Sequence, residues 1–395
     1  MLQNIAIFGC TGSIGRQSLD VCRRLGIFPR FLSCHSQVEL LAEQIREFKP
    51  QAVAVTDEEA ADRLQTFMSP RDRQRTAIYR GEADLLNLAQ EPVDRVLMAI
   101  SGFAALAPSY VAIQAGHDLA LANKEAVVVA GDLLLPLARE KGVMIYPVDS
   151  EHSAIWQCLA AAPQGSCRKL YLTASGGPFR TWTRDQMAAV SPQEALAHPV
   201  WSMGAKISID SASMMNKGLE ILEACQLFQV DESQVQVLIH PEGIVHSLVE
   251  FKDGAILGQL GMPDMRLPIQ LALTWPDRID TDLPAFDFFA LASDRSLNFY
   301  QPDDQRFPAL ALARLAAREG KEAPLILNAA NEVAVSAFLA GQVKFTGITD
   351  LVALALDHFL AGPRLTDFSL NGMIDHDKLV KAYCRDQVST LGAQT

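Results

Sequence analysis

Asp149-Ser150-Glu151-His152 sets two carboxylates and an imidazole within four residues, directly after the apolar run Val143-Met144-Ile145-Tyr146-Pro147-Val148. Read as extended backbone, residues 149 and 151 point the same way and can converge on one cation. A third acid, Glu220, ends the segment Ser211-Ala212-Ser213-Met214-Met215-Asn216-Lys217-Gly218-Leu219-Glu220. There Asn216, Lys217 and Glu220 fall along one side of a helix that Ser211 or Ser213 can cap. Three oxygen ligands suit Mg²⁺ or Mn²⁺ better than zinc, which prefers His and Cys. Ser175, Ser211, Asn216 and Lys217 are hydrogen-bond donors plus one cation, the set that holds a dianionic phosphate. Each also has an ordinary structural reading. An acid pair is commonly a solvated turn, Ser211 a cap, and Ser175 a turn former in Thr173-Ala174-Ser175-Gly176-Gly177-Pro178.

Gly9-Cys10-Thr11-Gly12-Ser13-Ile14-Gly15 follows the strand-like Ile5-Ala6-Ile7-Phe8 and opens an amphipathic stretch over residues 14–25. Glycines there let backbone pass close to a pyrophosphate, which the helix N-terminus attracts; a tight turn without ligand is the alternative. The GxxGxxG spacing is one residue longer than the commonest dinucleotide fingerprint. Ser33-Cys34-His35-Ser36, at the end of the second strand, holds no acid to repel a 2′-phosphate, which favours NADP and makes His35 a candidate contact. Asn123-Lys124-Glu125 follows the strand-like Asp118-Leu119-Ala120-Leu121, where ligands bind in open α/β sheets, although Asn123 also reads as a helix cap. His198-Pro199-Val200-Trp201-Ser202-Met203-Gly204 places an imidazole, an indole and a thioether on a loop, suggesting substrate cover.

These residues need elements to hold them. Apolar runs at residues 5–8, 31–32, 52–55, 96–100, 118–121 and 143–148 alternate with helical stretches, implying a parallel sheet covered on both faces. Runs at 169–173, 206–209, 236–239, 245–249 and 255–257 read as strands of a second, mixed α/β domain. Residues 175–205, rich in Gly, Pro, Ser and Trp, suggest a lid. Residues 276–300 read as a linker, and the chain beyond reads as helices over 309–318, 324–339, 349–360 and 375–386. The expected fold is α/β: a Rossmann-like parallel-sheet domain (1–149), a central α/β catalytic domain (150–275) and a C-terminal α-helical bundle (301–395).

Composition narrows the choice. At 395 residues, with 49% hydrophobic and 20% charged residues, the chain has the mixture of a packed protein of two or three domains. Lys and Arg number 34 against 46 Asp and Glu; a net charge of −12 excludes sequence-independent binding to nucleic acid or an anionic membrane. The seven cysteines show no CxxC spacing and read as reduced thiols, and no apolar run approaches a membrane span, so a cytoplasmic protein is expected.

Taken together, the motifs resemble the 1-deoxy-D-xylulose 5-phosphate reductoisomerase family. The likeness runs through Thr11-Gly12-Ser13-Ile14-Gly15, Leu121-Ala122-Asn123-Lys124-Glu125, Pro147-Val148-Asp149-Ser150-Glu151-His152 and Ala174-Ser175-Gly176-Gly177-Pro178-Phe179. It continues in Trp201-Ser202-Met203-Gly204, Met214-Met215-Asn216-Lys217-Gly218-Leu219-Glu220, Pro263-Asp264-Met265-Arg266 and Asn328-Ala329-Ala330-Asn331-Glu332. The resemblance implies a homodimer that uses NADPH and Mg²⁺ or Mn²⁺ (Co²⁺ as an alternative) to isomerise and reduce a small phosphorylated sugar to 2-C-methyl-D-erythritol 4-phosphate. It implies Asp149, Glu151 and Glu220 as metal ligands, and Ser175, Ser211, Asn216 and Lys217 around the phosphate. Ser150 and Lys124 would lie near the substrate, with His198 and Trp201 on the closing loop. Thr11, Gly12, Ser13 and Ile14 would hold the pyrophosphate, with Ser36, Asn123, Glu125 and Gly204 as further cofactor contacts. Cys34, Ser36 and Val200 depart from the family's usual residues. Two other readings compete: a different NADP-dependent dehydrogenase, and a dinucleotide-sensing module. The latter predicts decayed acid sites, whereas Asp149, Glu151 and Glu220 are all present.

Overall fold

A computed structural model describes residues 2–160, 162–197, 204–289 and 296–392. These gather into two compact units. The first holds the described residues of Met1–Ala126, Asp132–Ser153 and Asp264–Thr281; the second holds those of Val127–Gly131, Ala154–Pro263 and Asp282–Thr395.

The first unit is built on seven strands: β1 (Asn4–Phe8), β2 (Phe28–Cys34), β3 (Ala52–Val55), β4 (Ala77–Arg80), β5 (Arg95–Met98), β6 (Asp118–Leu121) and β7 (Ile145–Pro147). All pair in parallel, in the order β4-β3-β2-β1-β5-β6-β7. The order reverses between β1 and β5, which opens a crevice at their carboxyl ends. Ile5, Ala6, Ile7 and Phe8 are all buried, as the continuous apolar run of a central parallel strand requires. Strand β4 carries no such run. Ala77 and Arg80 are exposed, so this edge strand has no hydrophobic pattern in the sequence to reveal it. Helix Arg266–Thr274 also belongs to this unit. It is tied in by Arg95, whose guanidinium donates to the Ala272 carbonyl and lies 3.8 Å over the Tyr146 ring.

The second unit holds a four-stranded mixed sheet, β8 (Cys167–Ala174), β9 (Val235–Ile239), β10 (Val245–Phe251) and β11 (Ile256–Leu260), in the order β11-β10-β8-β9. Only β8 and β9 run parallel. The strand expected at 206–209 is instead part of helix Ala205–Ala212. Lys206-Ile207-Ser208-Ile209 alternates over too few residues to separate the two periods, and the buried positions Ser208, Ile209 and Ala212 follow a helical face. Residues 175–197 are not a bare loop: they carry short helices Arg184–Ala188 and Pro192–Ala195, capped by Thr183 with Gln186 and by Ser191 with Glu194. Beyond residue 300 the described residues form four helices, Ala309–Glu319, Ala323–Leu339, Gly347–Ala361 and Leu370–Gly392. Ala323–Leu339 is the central one, buried on nearly every face, and it takes Asn328 and Asn331 into the core with it.

Candidate active site

Four strand ends of the first unit, those of β1, β2, β6 and β7, carry the residues singled out there from the sequence. Where β1 stops, Gly9 takes φ +89°, and a Cβ there would stand 2.5 Å from the Ala99 carbonyl at the exit of β5. A Cβ on Gly15 would stand 2.3 Å from the Gly9 carbonyl. Glycine at both positions therefore lets helix Ser13–Leu25 begin directly on the turn, at the reversal of strand order. Gly12 precedes that helix, and among the described residues no side chain caps it. The first amides, of Ser13 and Ile14, are thus available to an anion beside the buried Thr11. At the end of β2, Cys34 is buried while His35 and Ser36 are exposed; His35 Nδ1 lies 2.9 Å from Thr56 Oγ1.

Beyond β6, Asn123 caps helix Lys124–Lys141 by accepting from the Ala126 N–H at 2.8 Å. Its amide donates to the carbonyls of Ile100 (2.9 Å) and Gly102 (3.0 Å) and to Glu125 Oε2 (3.0 Å). Asn123 therefore clips the exits of β5 and β6 together, and its capping role is the one its sequence position suggests. The next residue, Lys124, reaches across to the end of β7, where its Nζ lies 2.6 Å from Asp149 Oδ2 with both side chains about nine-tenths buried. His152 is fully buried with Nδ1 3.3 Å from Asp149 Oδ1. Burial by itself raises the Asp149 carboxyl, but the Lys124 ammonium and the His152 ring outweigh it and hold it well below the usual carboxylate range.

Asp149 and Glu151 do not share a face by strand alternation, as extended backbone would have them. The chain turns into helix Ser150–Leu159 at once. Asp149 precedes it, accepting from the Glu151 N–H at 3.3 Å, and the Ser153 N–H donates to the Asp149 carbonyl at 2.8 Å. Orphan amides at a helix N-terminus recruit an acid, which is why the pair sits there. Glu151, in the first turn, accepts from the Ser150 hydroxyl.

The second unit assembles a polar edge from two segments. After β8, Gly176 and Gly177 both take positive φ, +83° and +67°, and the Gly177 N–H donates to Ser175 Oγ at 3.3 Å. A Cβ on Gly177 would come within 2.7 Å of the Ser211 carbonyl, so glycine lets the Ser175 turn lie against Ser211. Ser211 lies within helix Ala205–Ala212 and does not cap the next one. The hinge into helix Met215–Phe228 is Met214, in the left-handed region at φ +63°, and Ser213 Oγ accepts from the Met215 N–H at 3.4 Å. One turn on, Asn216 and Lys217 both donate to the Glu220 carboxylate, which is 1% exposed. Read from the sequence at i, i+1 and i+4 along one side of a helix, Asn216, Lys217 and Glu220 do meet there, as an i, i+4 and an i, i+3 pair. Gly204 is exposed and N-caps helix Ala205–Ala212; His198 and Trp201 lie outside the described residues.

Two pairings were not read from the sequence: His152 against Asp149, and the buried Asp210 with Asn331. The available signal for His152 was its i, i+3 spacing from Asp149. Asp210 and Asn331 are 121 residues apart, and no local pattern links them.

Three family models match in chain order: 1-deoxy-D-xylulose 5-phosphate reductoisomerase over residues 5–131, its C-terminal domain over 145–228, and the DXP reductoisomerase C-terminal domain over 260–383. The chain belongs to the 1-deoxy-D-xylulose 5-phosphate reductoisomerase family. Among relatives of that name, one from Bacteroides fragilis is 46% identical over 374 residues, 93% of this chain and 94% of its own. One from Acinetobacter baumannii is 42% identical over 407 aligned positions, 99% of this chain and 100% of its own. A crystal structure of a DOX-P reductoisomerase in complex with NADPH, fosmidomycin and magnesium is 42% identical, with a TM-score of 0.93 over 99% of both chains. The reductoisomerase from Zymomonas mobilis in complex with NADPH is 37% identical, with a TM-score of 0.89 over 99% of this chain and 100% of that one. At these TM-scores the chain shares its α/β fold, built on the seven-stranded parallel sheet and C-terminal helices described above, with those two structures.

Proposed function

We propose that this chain converts 1-deoxy-D-xylulose 5-phosphate to 2-C-methyl-D-erythritol 4-phosphate with NADPH and a divalent cation. The observation that carries the reading is the Lys124–Asp149 pair at the carboxyl ends of β6 and β7, in a chain that belongs to this family. Asp149, Glu151 and Glu220 are the proposed ligands. Their donors are all carboxylate oxygens, which fits Mg²⁺ or Mn²⁺ and not zinc. Bound there, the ion would polarise the ketose oxygens as a Lewis acid, and NADPH would supply the hydride.

The remaining roles belong to side chains. Lys124 keeps Asp149 ionised and adds positive charge where a substrate oxyanion would develop. Ser150, in the first helical turn beside Glu151, is a proposed substrate contact, as are His198 and Trp201. Ser175, Ser211, Asn216 and Lys217 bind the phosphate, a non-reacting end whose binding energy can drive closure and exclude water. Support comes from the close approach of Gly177 to the Ser211 carbonyl and from Asn216 and Lys217 both reaching the Glu220 carboxylate. Thr11, Gly12, Ser13 and Ile14 hold the pyrophosphate at the uncapped helix, and the exposed His35 and Ser36 meet the 2′-phosphate. Asn123, Glu125 and Gly204 serve the nicotinamide half. The proposed division of labour keeps residues 1–149 for the cofactor, 150–275 for substrate and metal, and 301–395 as helical support.

We also propose a cytoplasmic homodimer. Among the described residues no helix is long and apolar enough to cross a membrane. Edge strand β11 exposes Ile256, Leu257 and Leu260, with Met262 beyond, an apolar border that a second copy would cover. Light scattering on the eluting protein should give twice the 43.1 kDa chain mass. The activity is tested by NADPH oxidation with 1-deoxy-D-xylulose 5-phosphate, with and without Mg²⁺ or Mn²⁺. Turnover requiring both sugar and metal is expected; no turnover with both present rejects the reading.

A further inference from the structure

We propose that Asp210 and Asn331 form a brace through which the C-terminal helices position the phosphate-binding segment, a reading that rests on the phosphate pocket proposed above. Asp210 stands immediately before Ser211 and is 2% exposed. A buried carboxylate must have its charge and lone pairs satisfied, and each oxygen has a partner: Lys206 Nζ at 2.8 Å from Oδ2 and Asn331 Nδ2 at 2.8 Å from Oδ1. Lys206 belongs to the same helix as Asp210. Asn331, fully buried in helix Ala323–Leu339, is the arm that comes from outside.

What the brace holds is a strained hinge. The Ser213 hydroxyl donates to the Asp210 carbonyl at 3.2 Å and accepts from the Met215 N–H, straddling Met214 at φ +63°. A non-glycine residue in that region persists only where its surroundings over-determine it. The hinge sets the angle between helix Ala205–Ala212, which carries Ser211, and helix Met215–Phe228, which carries Asn216 and Lys217. Releasing Asp210 on one side lets that angle relax, so three phosphate donors lose their common focus while Glu220 keeps its own partners one turn further on. Asn331 is therefore a positioning residue, with its effect expected on phosphate recognition and not on hydride transfer.

The test uses the full chain with NADPH, 1-deoxy-D-xylulose 5-phosphate and Mg²⁺, and inorganic phosphate as a competitive inhibitor. Asn331→Ala should raise both KM for the sugar phosphate and Ki for phosphate by about tenfold, the scale of one hydrogen bond to a charged group. Its kcat should stay within about threefold, the signature of lost binding that ground and transition states share, and NADPH affinity should be unchanged. Asn331→Asp sets two carboxylates face to face and should show the larger defect, which Asp210→Asn/Asn331→Asp, with the pair reversed, should repair. If Asn331→Ala gives no folded protein, Asn331→Ser is read by the same criteria. Unchanged KM and Ki, with or without a lowered Tm, overturns the brace, as does a reversed pair no better than Asn331→Asp. Lys217→Ala serves as control. If it leaves Ki for phosphate unchanged, the pocket reading fails and the brace with it; if it raises Ki while Asn331→Ala does not, only the brace fails.

Discussion

The two units each bury a carboxylate against a lysine, and they build the pair by opposite means. In the second unit Lys217 and Glu220 are i and i+3 on one helix, so forming the helix is enough to bring them together. In the first unit Lys124 and Asp149 stand at the ends of neighbouring parallel strands, 25 positions apart in number, and meet only because β6 and β7 pair in register from Leu119 with Ile145 to Leu121 with Pro147. A helix-built pair survives whatever the rest of the fold does. A strand-built pair depends on the whole sheet, and it sits where open α/β sheets place their ligands. Position by distant elements therefore makes the Lys124–Asp149 pair the more sensitive of the two to its surroundings.

That difference can be probed from both sides. The largest effects should come from the carboxylates themselves: Asp149→Asn and Glu220→Gln are each expected to lower kcat by about a thousandfold or more, the scale of removing a preorganised electrostatic contact. Recovery of rate at saturating Mg²⁺ would show that a lost ligand had merely weakened metal affinity. Next, Lys217→Ala should raise KM for the sugar phosphate by roughly 10- to 100-fold through loss of a charge-assisted contact, as read in steady-state kinetics.

A pH experiment sharpens the comparison further. Asp149 is held below its unfolded value of about 3.9, so its contribution to stability is present above that pH and is lost as pH falls through the lower folded value. In Lys124→Met, burial still raises the same carboxyl while the ammonium that opposed it is gone, so the ionised group contributes less stability above about pH 3.9 than in the native protein. The gap in urea-unfolding free energy between the native protein and Lys124→Met should thus narrow as pH falls from 7 to about 3, with the change lying below about pH 3.9. A gap that stays constant over that range would show that Lys124 does not set the charge of Asp149. The smallest effect is expected at Asn123→Ala. Loss of the cap should destabilise by about 1 kcal/mol, with the freed Ile100 and Gly102 carbonyls adding to it, measured as a lowered Tm with NADPH absent.

Much of this arrangement was legible in the chain. Continuous apolar runs marked six of the seven parallel strands, because a strand buried on both faces must be apolar throughout. The exception, β4, lies at the sheet edge, where Ala77 and Arg80 face water and no pattern is imposed. Helical spacing gave Asn216, Lys217 and Glu220, and glycine placement gave the turn at Gly9 and Gly15. The run at 206–209 misled because two Ile residues two apart fit a strand as well as they fit a helix. Asp149 and Glu151 were singled out through strand alternation, but a helix N-terminus gathers them instead.

Sequence alone determined what depends on local period and residue chemistry: the strand–helix alternation, the oxygen-donor carboxylates, the uncapped glycine turn and the helix-borne lysine pair. Tertiary structure decided which distant groups meet, namely Lys124 with Asp149, Gly177 with Ser211, and Asn331 with Asp210. The reason is range. Backbone periodicity fixes neighbours within a turn or a pleat, whereas contacts across 25 or 121 residues exist only once sheet register and helix packing have been chosen for the chain as a whole.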